Sequence, residues 1–245
     1  MKSNKKYKLG FLFSHPTQYH TPFFRHLAKD ADIDPTVYFC TTWGVHEKLD
    51  PGFGKAYKWD IPLLEGYRSV FLNNYSPLPR PNFFGQMNFG IINELRKQKY
   101  DAFVVHGYTG FTNWVAFVGC WMTRTPLILQ GEADLERKRG TAKLALKRMI
   151  LSALFKNADA FFYTYGLNKK FFKFYGVPEE KLFFHPCSVD NAFFESRARA
   201  LGSDRVTLRK DLGVKNPELP AVLFSGKFIP RKRVRDLLMA CAKLS

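Results

Sequence analysis

The sequence predicts an α/β protein: an open, mostly parallel sheet with helices on both faces. Three observations carry this. Short continuous apolar runs, of the kind found in strands buried on both faces, alternate with segments of helical period throughout the chain. With 245 residues, 46% apolar and 16% aromatic, the chain can bury a sizeable core and does not resemble a disordered one. The polar clusters that punctuate it stand just past the apolar runs, where such sheets bind their ligands.

The first run, Leu9 to Phe13, ends at Ser14-His15-Pro16-Thr17-Gln18-Tyr19-His20. A helix follows, with Thr21 as its N-cap, Pro22 as its first residue, and Phe24, Leu27 and Ala28 facing inward. Thr36 to Thr41 reads as the second strand. Residues 43–84 are punctuated by glycine and proline, but Trp43, Phe53, Tyr57, Trp59, Tyr67, Phe71 and Tyr75 predict a packed loop. Ile91 to Lys97 reads as helix, Phe103 to Val105 as a strand ending at His106-Gly107-Tyr108, and Trp114 to Met122 as a buried helix. Pro126 to Leu129 is a strand ending at Gln130-Gly131-Glu132. The helix expected over Thr141 to Asn157 carries an inward stripe of Leu146, Met149, Ile150, Ala153 and Leu154. Strands at Ala160 to Tyr163 and Leu182 to His185 complete a first domain, residues 1–195. Residues 196–218 are polar and read as a linker with a helical turn around Val206 to Leu212. A fresh strand, Ala221 to Gly226, and a fresh helix, Val234 to Leu244, open a second domain over residues 219–245, expected to be truncated.

Composition excludes several classes. No apolar stretch approaches the ~18 residues of a membrane-spanning helix, and the basic start runs into an apolar segment too short for a secretory signal. A cytoplasmic location is expected, extending to peripheral contact with the inner face of an anionic membrane. Cys40, Cys120, Cys187 and Cys241 are scattered without metal-ligand spacing and read as buried free thiols. The 38 Lys+Arg against 21 Asp+Glu give a formal charge of +17, which asks for an anionic partner. No specific nucleic-acid module is present in the sequence; a basic polyanion-binding protein stays open as an alternative.

Three constellations stand out. Ser225 to Arg233 combines a glycine turn at a strand end, several cations and a helix start, which together favour an anion; it lacks P-loop spacing. His15, His106 and Glu132 stand past strand ends, with Gln18, His20 and Tyr108 in the same crevice. A strand-end histidine can equally be a satisfied core residue, and Glu132 can equally pair with Arg137 or Lys138. His26 and His46 read as surface residues and His185 as structural. Lys143, Lys147 and Arg148, after Arg137-Lys138-Arg139, give a basic helix face, either solvated or suited to an anionic membrane or a lipid phosphate.

Gly226-Lys227-Phe228-Ile229-Pro230-Arg231-Lys232-Arg233-Val234-Arg235-Asp236 resembles the start of the donor domain in family-4 glycosyltransferases, retaining enzymes of the GT-B fold with two facing Rossmann-like domains. Leu182 to Phe194 resembles the segment that closes their first domain. Ser14 to His20 resembles a bacterial branch in which Ser-His-Pro-x-Gln-Tyr follows the first strand, and Gly52 to Tyr67 fits that branch. The resemblance implies a Rossmann-like GT-B N-terminal domain plus the truncated start of a second Rossmann-like domain. It implies transfer of a sugar from a nucleotide-sugar donor to a glycan or lipid-linked acceptor, with no cofactor and no metal. Lys227 and Lys232 would grip the donor diphosphate, with Gly226 and Arg231 beside them, so that preorganised cations meet the charge of the leaving group. The family's glycine pair after the first strand is missing, which leaves side chains such as His15 and Gln18 to contribute. Glu132 falls near a position where the family often has His; a carboxylate there accepts hydrogen bonds from sugar hydroxyls and can help deprotonate an acceptor. The family's paired donor-domain glutamates have no place in 245 residues, so an incomplete chain is expected. A non-catalytic acceptor-binding half needing a donor-domain partner, and a nucleotide-sugar epimerase of the same fold, stay open.

Overall fold

The computed structural model describes residues 6–50, 54–135, 141–202, 204–214, 216, 218 and 220–243. They group into two compact units: Met1–Val45 with Pro62–Val189, and His46–Ile61 with Asp190–Ser245.

The first unit is an α/β sheet protein, as expected. β1 (Tyr7–Phe13) leads through α1 (Thr21–Leu27) to β2 (Ile33–Phe39). An antiparallel hairpin, β3 (Lys48–Asp50) and β4 (Lys55–Tyr57), belongs to the second unit. In the first unit the chain resumes with β5 (Arg68–Phe71), α2 (Gly90–Gln98), β6 (Ala102–His106), α3 (Phe111–Thr123) and β7 (Leu127–Gln130). Then follow α4 (Thr141–Lys156), β8 (Ala160–Tyr163), α5 (Gly166–Phe174) and β9 (Leu182–Phe184). The seven strands lie in the order β5-β2-β1-β6-β7-β8-β9, and every pairing is parallel. The chain therefore winds outward from β1 in one direction, restarts at β6 beside β1, and winds the other way. The reversal falls between β1 and β6.

Burial on both faces explains why the strands read as continuous apolar runs. Alternate residues feed two cores. Leu12, Tyr38, Phe103, Val105 and Leu129 join residues of α2, α3 and α5 in one; Phe11, Phe13, Val37, Phe39 and Val104 join Phe24 of α1 in the other.

Several expectations are corrected. Thr21 is the first helical residue and His20 the N-cap; the Thr21 hydroxyl lies 3.0 Å from Thr17 O and 3.1 Å from Leu63 O, so it serves a tertiary contact instead of capping. Part of the expected loop is an edge strand, β5, hidden among glycines and prolines. Helix α4 has the expected period in a different phase. Leu151, Leu154 and Phe155 are buried while Leu146, Met149 and Ile150 are exposed. That inward side also carries Lys147, whose ammonium lies 5.8, 5.1 and 5.6 Å from the ring centres of Tyr108, Phe171 and Tyr175. Cys187 is exposed and Cys241 half-buried; only Cys40 and Cys120 are buried, their thiols pushed up to about 12 by desolvation.

In the second unit, the expected linker is largely helical: α6 (Asn191–Gly202) and α7 (Arg205–Asp211) bury no residue and rest on good helix formers such as Ala, Arg and Leu. Ala221 to Gly226 forms no strand. A strand needs a ladder partner, and none of the described residues supplies one. Its Val222 and Leu223 are exposed. The expected helix forms as α8 (Val234–Cys241). Among the described residues, no helix is long and apolar enough to cross a membrane.

Candidate functional site

The site is built at the C-terminal edge of the sheet, where β1 and β6 lie side by side. After Phe13 the chain turns back on itself, the Thr17 carbonyl accepting the amides of His20 (3.3 Å) and Thr21 (3.2 Å), which sets His20 at the head of α1. The register Phe11↔Val104, Leu12↔Val105 brings His106 opposite Phe13, and the His106 ring lies flat on that phenyl, 4.7 Å between centres at 13°. The His20 ring is 4.6 Å from Phe13 and 5.1 Å from His106. On the next strand His106 pairs with Gln130, two residues before Glu132. Helix α5 holds that loop: Asn168 Nδ2 donates to Ala133 O (2.8 Å) and the Tyr165 hydroxyl to Glu132 O (2.9 Å). One donor atom each from His20, His106 and Glu132 lie within 4.8 Å of one another. Cys187 Sγ is 3.7 Å from Glu132 Oε1.

Electrostatics keep the imidazoles neutral. Burial pushes His20 down to about 3, helped by the neighbouring His106, His185 and His15; burial pushes His106 down to about 4, helped by His15 and His185. Burial also lowers His15 and His185. Neutral imidazoles accept a proton, hydrogen-bond a hydroxyl or bind a metal. Beside them Glu132 is exposed and able to meet a ligand from solvent.

The sequence-derived residues separate accordingly. His20, His106 and Glu132 come together, and His15 stands near, its Nδ1 2.8 Å from Ser14 Oγ and its ring 6.1 Å from Trp43. Gln18 is half-buried in the same turn. Tyr108 is corrected to a packing residue: its ring lies parallel to Phe171 at 6.2 Å and against Phe155, in the core on the other face of the sheet from Phe13. His185, read as structural, belongs to the histidine group electrostatically; its ring lies 4.7 Å from Phe23 and its amide bonds Tyr163 O at 2.8 Å. Cys187 was also missed. Both follow the last strand, and the rule applied to the other strand ends would have found them.

The basic helix face is divided. Lys147 is turned onto its three rings, Arg148 lies 5.1 Å over Phe174, and the Lys143 side chain and residues 137–139 lie outside the described residues. Within the second unit, Gly226 follows no strand. A short 3-10 turn at Pro230–Lys232 and Arg233 in the left-handed region (φ 51°) precede α8. Arg231 and Lys232 are exposed, Lys227 is half-buried, and Arg233 is ion-paired with Asp236.

No protein-family model and no curated protein matches the sequence. Solved structures resemble it in fold. The UDP-GlcNAc 2-epimerase from Neisseria meningitidis bound to UDP-GlcNAc superposes with a TM-score of 0.53 at 18% identity, over 84% of this chain and 54% of that one. Anabaena Alr3699/HepE in complex with UDP-glucose superposes with a TM-score of 0.51 at 14% identity, over 85% of this chain and 50% of that one. The chain spans about half the length of either structure. What they share with it is the open, Rossmann-like parallel sheet.

Proposed function

We propose that the chain comprises the acceptor-side domain and the opening, diphosphate-binding segment of the donor domain of a nucleotide-sugar glycosyltransferase of the family-4 type, serving cell-envelope or polysaccharide synthesis. The observation that carries this reading is the group of neutral histidines and one exposed carboxylate at the carboxyl ends of β1, β6 and β7, where the strand order reverses. Open α/β sheets bind their ligands at that switch point. In this reading Glu132 accepts the hydroxyls of a sugar and draws the proton from an acceptor, while His15 and His106 orient the reacting groups. Gly226, Lys227, Arg231 and Lys232 take the diphosphate. The likeness of fold to two UDP-sugar-bound structures supports a nucleotide-sugar ligand. Peripheral contact with an anionic membrane is supported by α4, which exposes Leu146, Met149 and Ile150 beside Arg148.

A second reading, a nucleotide-sugar epimerase, is favoured by the fold likeness to the Neisseria enzyme. One experiment separates them: the purified chain is titrated with UDP- and GDP-sugars by isothermal calorimetry, and the mixtures are followed by NMR with and without glycan acceptors. Saturable binding weakened at least ~10-fold by Lys227→Ala with Lys232→Ala, a loss of about 1.4 kcal/mol or more, supports the nucleotide-sugar reading. Transfer to acceptor then selects the transferase, and inversion at C2 of the sugar selects the epimerase. Failure to bind any nucleotide sugar overturns both.

A further inference from the structure

We infer that His20, His106 and Glu132 form a binding site for one first-row divalent cation of the zinc class, with three protein ligands and an open fourth position. The juxtaposition is the basis. The three residues lie far apart in sequence, yet each stands at or beyond the carboxyl end of one of three neighbouring strands, β1, β6 and β7, and their donor atoms lie within 4.8 Å of one another. In a tetrahedral zinc site with bonds near ~2.0–2.1 Å, ligand atoms stand roughly 3.3 Å apart. The adjustment required is small, and Glu132, exposed on a loop, is free to make it by rotating its side chain.

A second, independent observation points the same way. Nε2 of His106 is buried and has no hydrogen-bond partner among the described residues. A buried ring nitrogen normally has a partner, and this one lies in a group that holds another imidazole and a carboxylate. Two imidazoles and one carboxylate are a borderline donor set that suits zinc, cobalt or nickel; magnesium and calcium prefer all-oxygen sites. Phe13 packs against both rings and Phe24 against that of His20, forming the dry wall that metal sites use to fix their ligands, while the exposed carboxylate leaves an entry path from solvent. The bound ion would tie the β1–α1 turn to the ends of β6 and β7, clamping the sheet edge at its reversal. This inference does not depend on the nucleotide-sugar reading; with the ion bound, Glu132 and His106 are its ligands, and the base and orienting roles proposed for them above belong to the metal-free chain.

The test uses the 245-residue chain after chelator treatment, titrated with Co2+ and followed by visible absorption, then with Zn2+ in competition. One equivalent of Co2+ is expected to give the ligand-field bands of a four-coordinate site, and Zn2+ to abolish them and raise the melting temperature. Glu132→Gln, at an exposed position, is expected to weaken Zn2+ binding at least ~10-fold and to leave the metal-free circular dichroism spectrum and melting temperature unchanged. Cys187→Ser is expected to bind as the parent does. His26 and His46 remain in every variant, so metal held by surface histidines would persist undiminished in Glu132→Gln. That result, the absence of stoichiometric binding, or dependence on Cys187 in place of Glu132 would overturn the site.

Discussion

His106 stacks on Phe13 and His20 lies against the same ring, so both imidazoles meet hydrocarbon where an exposed residue would meet water. This has a consequence for acid stability. Unfolded imidazoles take up protons near pH 6.5; folded, His106 does so only near 4 and His20 near 3. Between those values the unfolded chain holds more protons, so the contribution of these histidines is complete above about pH 6.5 and is lost as pH falls towards about 4 for His106 and about 3 for His20. Thermal melts of the metal-free chain are expected to be level from about pH 7 upward and to drop steadily between about pH 6.5 and 4. His106→Phe keeps a ring on Phe13 and removes a titrating group, and should flatten that drop; an unchanged slope would count against the assignment. His15, His106 and Glu132 were legible because each follows a continuous apolar run. The ring contact between His20 and His106 within that crevice, and the place of His185 beside them, were not, since they depend on strand order and on a turn that sequence periodicity does not encode.

Most of the elements were legible for a related reason. A strand buried on both faces shows itself as an unbroken apolar run, as the buried stretches of β1, β2, β6 and β7 do; β8 and β9 are apolar runs as well, although Phe183 and Phe184 of β9 are exposed. The short edge strand β5 lacks such a run. Helix α5 went unread because its inward residues, Asn168, Phe171 and Phe172, include a polar one. Buried side-chain amides hold the loops in both cases. Asn88, wholly buried, donates through Nδ2 towards Cys40 O, Leu72 O and Asn73 O (3.0, 3.0 and 3.1 Å), and its Oδ1 lies 2.9 Å from Thr112 Oγ1. It binds the end of β2, the chain beyond β5 and the start of α3 into one junction. Asn88→Ala strands several buried carbonyls and should cost on the order of 3 kcal/mol in urea unfolding; a loss below about 1 kcal/mol would mean that the junction is not a structural tie.

At the scale of the molecule, burial is unevenly divided. The sheet of the first unit is lined by two apolar cores, whereas α6, α7 and α8 contain no buried residue. Opening free energy follows buried contact. In hydrogen exchange, the amides of α6–α8 are therefore expected to exchange at least ~100-fold faster than those of β1, β6 and β7, and uniform protection along the chain would contradict this. Within the sheet, the reversal of strand order also fixes when the site can exist. Lys8 and Asp101, hydrogen-bonded at the start of the β1–β6 seam, are 93 residues apart. On a ribosome adding roughly 5–20 residues per second, β1, β2 and β5 can zip together early, while His20 gains His106 and Glu132 only after those later strands emerge. His185 comes later still. A nascent or nicked chain that stops short of them carries half a sheet and no site, so the assembled histidine group marks the completion of the first unit.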